Sequence, residues 1–209
     1  SKGHALSCKK GGLVLLRHHD LRDELAALAS KALTPSSVRE EPRIYPIRSQ
    51  TSVDEPVVKD ARGDVLIRGL FQRATDCILD VKVSDLDAKS YSKRAPADAL
   101  RSLERAKKRQ YLQPCLEQRR HFVPFVASVD GLLGSEAQEV LRRLSHLLSE
   151  KWSRPYSAVR GYLNARLSLA IVRGSSLCLR GSRVPAKGIS FRHHPAWDDA
   201  AGAFHLQQA

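Results

Sequence analysis

The first long periodic stretch runs from Leu13 to Leu33. Leu21, Leu25, Leu28 and Ala32 fall on one face and Arg22, Asp23, Glu24 and Lys31 on others, the spacing of an amphipathic helix. Gly11-Gly12 breaks the chain before it and Thr34-Pro35-Ser36 ends it. The period then shortens. Val38–Ile47 reads as extended, helped by Pro42, which biases its predecessor away from helical geometry. After a polar loop over 48–61, residues 62–69 and 75–83 alternate aliphatic with charged positions, the period of two that marks a strand. Gly69, Gln72 and Arg73 supply the hairpin bend between them. Helical spacing returns over Ala97–Gln113, with Pro114 as the expected stop, and Phe122–Val129 is a further strand in which Pro124 points to an edge or a bulge. Ser135 is placed to cap a helix through Trp152, and Pro155 separates it from an apolar helix over Ser157–Arg173. Residues 174–209 lose periodicity and read as a flexible tail.

Side chains alternate faces along a strand. Asp80 and Lys82 therefore share a face, while Leu79, Val81 and Val83 turn into a core. Asp64, Leu66 and Arg68 share a face opposite Val65 and Ile67, so that pairing as a hairpin sets Asp64 beside Asp80 and Lys82. Folding does not require two carboxylates and an amine on one face.

An acidic residue opening one strand and Asp-x-Lys in the next resembles the PD-(D/E)xK nuclease motif. With its surroundings the chain is similar to the restriction-like endonuclease domain at the C-terminal end of non-LTR retrotransposon reverse-transcriptase polyproteins. Those surroundings are His4-Ala5-Leu6-Ser7-Cys8, like the end of a zinc knuckle, Arg17-His18-His19, near the family's Arg-His-Asn, Glu41-Pro42, and the basic helix ending at Tyr111. The segment 121–185 also resembles the region downstream of the nuclease motif in such reading frames. Gly63 stands where the motif has proline, and the gap between Asp64 and Asp80 is slightly long for the family. The resemblance implies an α/β (α+β) fold: a restriction-endonuclease-like αβββαβ core with additional C-terminal helices. The expected organisation is a truncated zinc-knuckle end over 1–12, the nuclease core over 13–130, a helical extension over 131–173 and the tail over 174–209.

The same resemblance implies magnesium-dependent nicking of target DNA for retrotransposon integration. Asp64 and Asp80, with Glu41 as a third carboxylate, would hold Mg²⁺ or Mn²⁺, hard cations that prefer oxygen ligands and activate bound water. Lys82 would orient that water or stabilise charge at phosphorus; two nearby carboxylates favour its charged form and hence the electrostatic role. Glu40 and Glu41 read equally as solvated surface acids. His4 and Cys8 have ligand-like spacing, but a structural zinc takes four N or S ligands, so Zn²⁺ is expected only with cysteines upstream. Arg17 and His18, with His19 beside them, are candidates for DNA-phosphate contact or support of the active site. Arg101, Arg105 and Arg109 recur every four residues with Lys108 alongside, opposed by the single acid Glu104, a pattern that points to phosphate contact. Tyr111 is a base-stacking surface, an adjunct to the active site, or core.

Composition widens the choice rather than narrowing it. A net charge of +13 points to a polyanionic partner: target duplex DNA, with element RNA as a second. Hydrophobic and charged fractions of 42% and 27% indicate a globular chain. Its 209 residues suffice for one sizeable core. No apolar run approaches the roughly 18–20 residues that span a bilayer, and the polar, basic start has no signal-peptide pattern, so no membrane association is expected. Cysteines 8, 77, 115 and 178 form no CxxC pair, which suits a reducing compartment, here the nucleus. The lack of methionine suggests a piece of a longer product. No small-molecule cofactor is expected. Two competing readings remain: a catalytically inactive retroelement remnant acting as a basic nucleic-acid-binding module, and a basic RNA-binding or ribosomal-type protein.

Overall fold

A mixed four-stranded sheet divides the molecule into layers. The computed structural model describes residues 2–8, 12–45, 61–88, 90–91 and 93–181. In chain order the elements are α1 (Lys2–Ser7), α2 (Leu13–Ala32), β1 (Val38–Glu40), β2 (Val65–Arg68), β3 (Asp76–Ser84), α3 (Pro96–Glu117), β4 (His121–Ser128), α4 (Ser135–Trp152) and α5 (Tyr156–Arg180). The sheet order is β1-β2-β3-β4. β1, β2 and β3 form an antiparallel meander, and α3 carries the chain back so that β4 lies parallel to β3. This mixed α+β architecture agrees with the class expected from the sequence.

Alternation along β3 assigns the two faces. Leu79 and Val81 join Leu21, Leu25 and Leu28 of α2 and Leu141, Leu144 and Leu148 of α4 in the main core, completed by Leu163, Leu167 and Ile171 of α5. Ile78, on the other face, packs with Leu66, Phe122 and Cys115 under α3. Asp80 and Lys82 share that second face by the period of two. Thus one face of the sheet is covered by α2 and α4, with α5 packed over both, and the other by α3.

Several boundaries differ from the sequence reading, each for a physical reason. α3 passes through Pro114 and ends at Glu117. A proline so close to a helix end removes one hydrogen bond, and Cys115, fully buried beneath the sheet, anchors the last turn. α5 continues to Arg180, seven residues into the stretch expected as tail. Gly174 does not break it, because a Cβ there would press on Arg17 of α2; the glycine lets the two helices approach. The rest of the expected tail lies outside the described residues, as does the polar loop except Ala61. Residues 2–7, read as the end of a knuckle, are helical. β1 is only three residues, and the extended segment beyond it keeps a single bridge, Arg43 to Arg62.

Ser135 is not the cap of α4. The N-cap is Gly134, without a side chain, and the capping group comes from α3. Glu104, 4% exposed, accepts from the Glu136 N–H and from the Ser135 hydroxyl, both at 3.0 Å. An anion at a helix N-terminus satisfies orphan N–H groups and complements the dipole. Glu104→Ala should therefore cost about 1–3 kcal/mol, read as a lowered denaturant midpoint with unchanged m-value; an unchanged midpoint would show that the cap carries no weight.

Candidate active site

Val65 pairs with Leu79 at the end of the β2–β3 ladder, and Asp64, the residue before β2, lies alongside Leu79–Val81 of β3, near Asp80. Both ends of the Asp64 carboxylate are held. Oδ2 accepts from the Val81 N–H at 2.6 Å, and Oδ1 lies 2.8 Å from His18 Nε2 of α2. The Asp64 N–H donates to Leu79 O at 2.9 Å, tying the residue to β3 beyond the end of β2. Asp80 is 5% exposed. Its Oδ2 is 2.8 Å from Lys107 Nζ of α3. The approach is off the angle of a hydrogen bond, but at that separation the distance governs the electrostatics. Two neighbouring acids are thus clamped from opposite layers, by an imidazole from α2 and an ammonium from α3.

Burial raises the Asp80 carboxyl above its ordinary range; Lys107 opposes that shift, Asp64 adds to it, and His18 opposes it weakly. A buried carboxylate with a second acid beside it is an anion in need of a cation. Lys107 in turn lies over the Tyr111 ring, 5.6 Å from its centroid, and Tyr111 packs against Phe122.

The other candidates are spread more widely. Glu41 touches the site through its backbone: its N–H donates to Asp64 O at 3.0 Å, with φ at 49°. Its carboxylate is turned outward to Arg22 Nη1, at 3.0 Å, with Arg62 at 4.0 Å. Lys82 is half-buried opposite Val126 of β4. Arg17 is buried and faces inward, which removes it from surface contact with a duplex. Lys108 is paired with Glu136, and Arg101 with Asp98 at 3.2 Å, whereas Arg105 and Arg109 are exposed. His19 stands next to His18 with ring centroids 5.7 Å apart; burial, Arg22 and His18 lower its affinity for a proton. The side chain of His4 lies outside the described residues, and Cys8 is a half-buried free thiol.

Lys107 was not among the sequence candidates, although a signal was present. Leu100, Leu103, Lys107 and Tyr111 succeed one another at helical spacing, so the lysine occupies the inward stripe of α3 rather than its charged face. His18 precedes Leu21, Leu25 and Leu28 in the same way on α2.

Asp64 and Asp80 have the donor chemistry of a hard-cation site, two adjacent carboxylates of which one is disfavoured as an isolated anion. Among the described residues, no three His, Cys, Asp or Glu side chains converge as a metal-binding group, since Glu41 is directed to Arg22 instead. No helix among them is long and apolar enough to cross a membrane. No protein-family model matches the chain, and a search of curated proteins returned no significant match.

Proposed function

We propose that this chain is a metal-dependent DNA endonuclease that nicks target duplex in the nucleus, the reaction that primes reverse transcription in the retroelement family it resembles. The observation that carries the reading is the closeness of Asp64 to Asp80, the first acid bonded to the Val81 N–H next to the second, with the Lys107 ammonium on Asp80. The αβββαβ order of elements, from α2 through β4, supports it as the arrangement the resemblance implies.

Asp64 and Asp80 would hold Mg²⁺ or Mn²⁺, which supplies Lewis-acid charge and an acidified water when bound. The chain's own groups perform the rest. His18 and the Val81 N–H fix both oxygens of Asp64, so its orientation is set before any ligand arrives. Lys107 places a positive charge at the carboxylate pair, where it stabilises negative charge accumulating on an attacked phosphate. Lys82, on the same strand face, adds to that field. The helix that delivers Lys107 also exposes Arg105 and Arg109, which would track the phosphodiester backbone without reading its sequence.

Supercoiled plasmid with Mg²⁺ or Mn²⁺ tests the reading. Wild type should nick it, and Lys107→Met should lower the rate by about 10²-fold or more, with Lys82→Met showing a smaller loss and both retaining duplex binding. Equal nicking by wild type and Lys107→Met would remove that residue from the mechanism. One observation favours the inactive-remnant reading: both oxygens of Asp64, Oδ2 of Asp80 and the Glu41 carboxylate already have partners within the chain. Duplex binding without cleavage in either metal would select it.

A further inference from the structure

α5 buries its inner face, Val159, Leu163, Leu167, Ile171 and Cys178, on the layer formed by α2 and α4. Its outer face is apolar as well. Leu169, Val172 and Leu179 are 48%, 61% and 49% exposed, and Ala165 is exposed with them. Residues 165, 169, 172, 176 and 179 advance by alternating steps of four and three, the seam that one helix offers to another. Ser176 is the one polar member of that series. A surface helix ordinarily turns charged and polar residues outward. Single exposed aliphatics need no explanation, but a contiguous set marks a contact surface.

The two edges of the seam differ. Arg166, Arg173 and Arg180 recur every seven residues along one of them, and the twenty-five residues of α5 include no Asp or Glu. Glu24 of α2 already answers Arg166. Arg173 and Arg180 are exposed, and Asp20 of α2, the acid that feels Arg173, is itself half-buried. The other edge is built of small residues, Gly161 and Ser168. A Cβ on Gly161 would meet nothing within 4 Å, so the approach there is open. Beside Ser168 the surface dips into a recess of about 330 Å³ between α5 and the loop after β4. Leu132, Leu133 and Ile171 line it together with Arg160 and Asn164, and its lining holds no acid. Leu132 is half exposed at the rim.

These features select the occupant. A second copy of α5 laid antiparallel on the seam would set one arginine edge against the other, and like charges face to face oppose association. Laid parallel, it would offer that edge only glycine and serine. Neither arrangement supplies a counter-charge. We propose that the outer face of α5 docks an amphipathic helix of a partner protein, apolar at the same alternating spacing and acidic along the edge that meets Arg173 and Arg180, with one apolar side chain seated in the recess beside Leu132. Helix-in-groove recognition of this kind rests on a few aliphatic anchors, with charge setting the choice of partner. The face lies on the side of the sheet away from α3 and is independent of the nuclease reading.

Binding of a labelled synthetic peptide to the full chain, residues 182–209 included, tests the proposal. The probe is a helix of about four heptads, long enough to hold its form, with leucine at the seam positions and glutamate beside them. A scrambled peptide of the same composition and charge is the control. Wild type should bind the helical probe about tenfold more tightly than the scrambled one. Val172→Gln alters an exposed residue without changing charge, and should weaken binding by about tenfold. Arg173→Gln combined with Arg180→Gln should weaken it by about fivefold. Equal binding of the two peptides, or full affinity in Val172→Gln, would reduce the effect to general attraction between opposite charges and overturns the proposal. Absence of binding, the result expected if the end of the chain itself covers the seam, overturns it too. Sedimentation of the chain alone covers the remaining occupant: a monomer is expected, and a dimer that Val172→Gln dissociates would assign the face to a second copy instead.

Discussion

Asp80→Asn is expected to abolish metal-dependent nicking, with a loss of about 10³-fold or more, and at the same time to raise the melting temperature at neutral pH. The carboxyl is 5% exposed and its proton affinity is raised chiefly by burial, with Lys107 offsetting part of that. A native-state value above the unfolded one means that the native protein binds the proton more readily. Stability is therefore greatest below the ordinary carboxyl range and is lost as pH rises through the raised native value. Asparagine removes that loss. The gain should be about 1 kcal/mol, or roughly 2–4 °C for a domain of this size, and should vanish in acid, where wild-type Asp80 is already neutral. Lys107 is a quarter exposed, so solvent takes over its charge in the variant. A variant that melts lower than wild type at neutral pH would show that the Asp80–Lys107 pair is net stabilising. An active variant would remove Asp80 from catalysis.

The second large effect is at Gly63, where the nuclease motif has proline. The Gly63 N–H donates to Pro42 O at 2.8 Å, and a Cβ at this position would sit well inside the van der Waals radius of Ile78 Cγ2. Ile78 is fully buried on the face that packs under α3. Gly63→Pro thus forfeits a hydrogen bond and forces a ring into occupied core, a combined cost of about 3 kcal/mol or more. Equilibrium unfolding should show it, and Ile78→Ala in the same chain should return part of the loss relative to the two single changes. Additive behaviour of the pair would mean that the proline is refused for some other reason. In this chain Ile78 of β3 fills the space that a proline ring would take.

The hairpin and its faces were legible because a period of two leaves no freedom. Within β2, Val65 and Ile67 face the main core and Leu66 the other face, whereas Asp64, one residue before the strand, is set by its bonds to His18 of α2 and to the Val81 N–H. Helix ends were less legible, since they are set by distant partners. Pro114 continues α3 because Cys115 is held under the sheet, Gly174 continues α5 because α2 leans against it, and the cap of α4 comes from Glu104, thirty-one residues before Ser135. The site divides in the same way. Asp80 emerges from pattern, whereas Asp64, Lys107 and Arg17 take their settings from tertiary packing. Lys107 lies on the inward stripe of α3, next to the run of basic residues that drew attention to its outer face. Arg17, expected at the nucleic-acid surface, is drawn inside by the close approach that Gly174 permits.

The two rims of the sheet bear on how copies of the protein behave in a crowded solution. β1 is three residues long, with Arg39 and Glu40 exposed, so it offers little template for another strand. At the opposite rim Pro124 has no donor to give, and the chain after β4 folds back on it, Leu132 O accepting from Ser128 N and Val126 O from Gly134 N. Short, charged, proline-interrupted or self-covered margins resist edge-to-edge growth into fibrils or precipitates. A chain with a net charge of +13 thereby has margins that limit strand-to-strand association between copies.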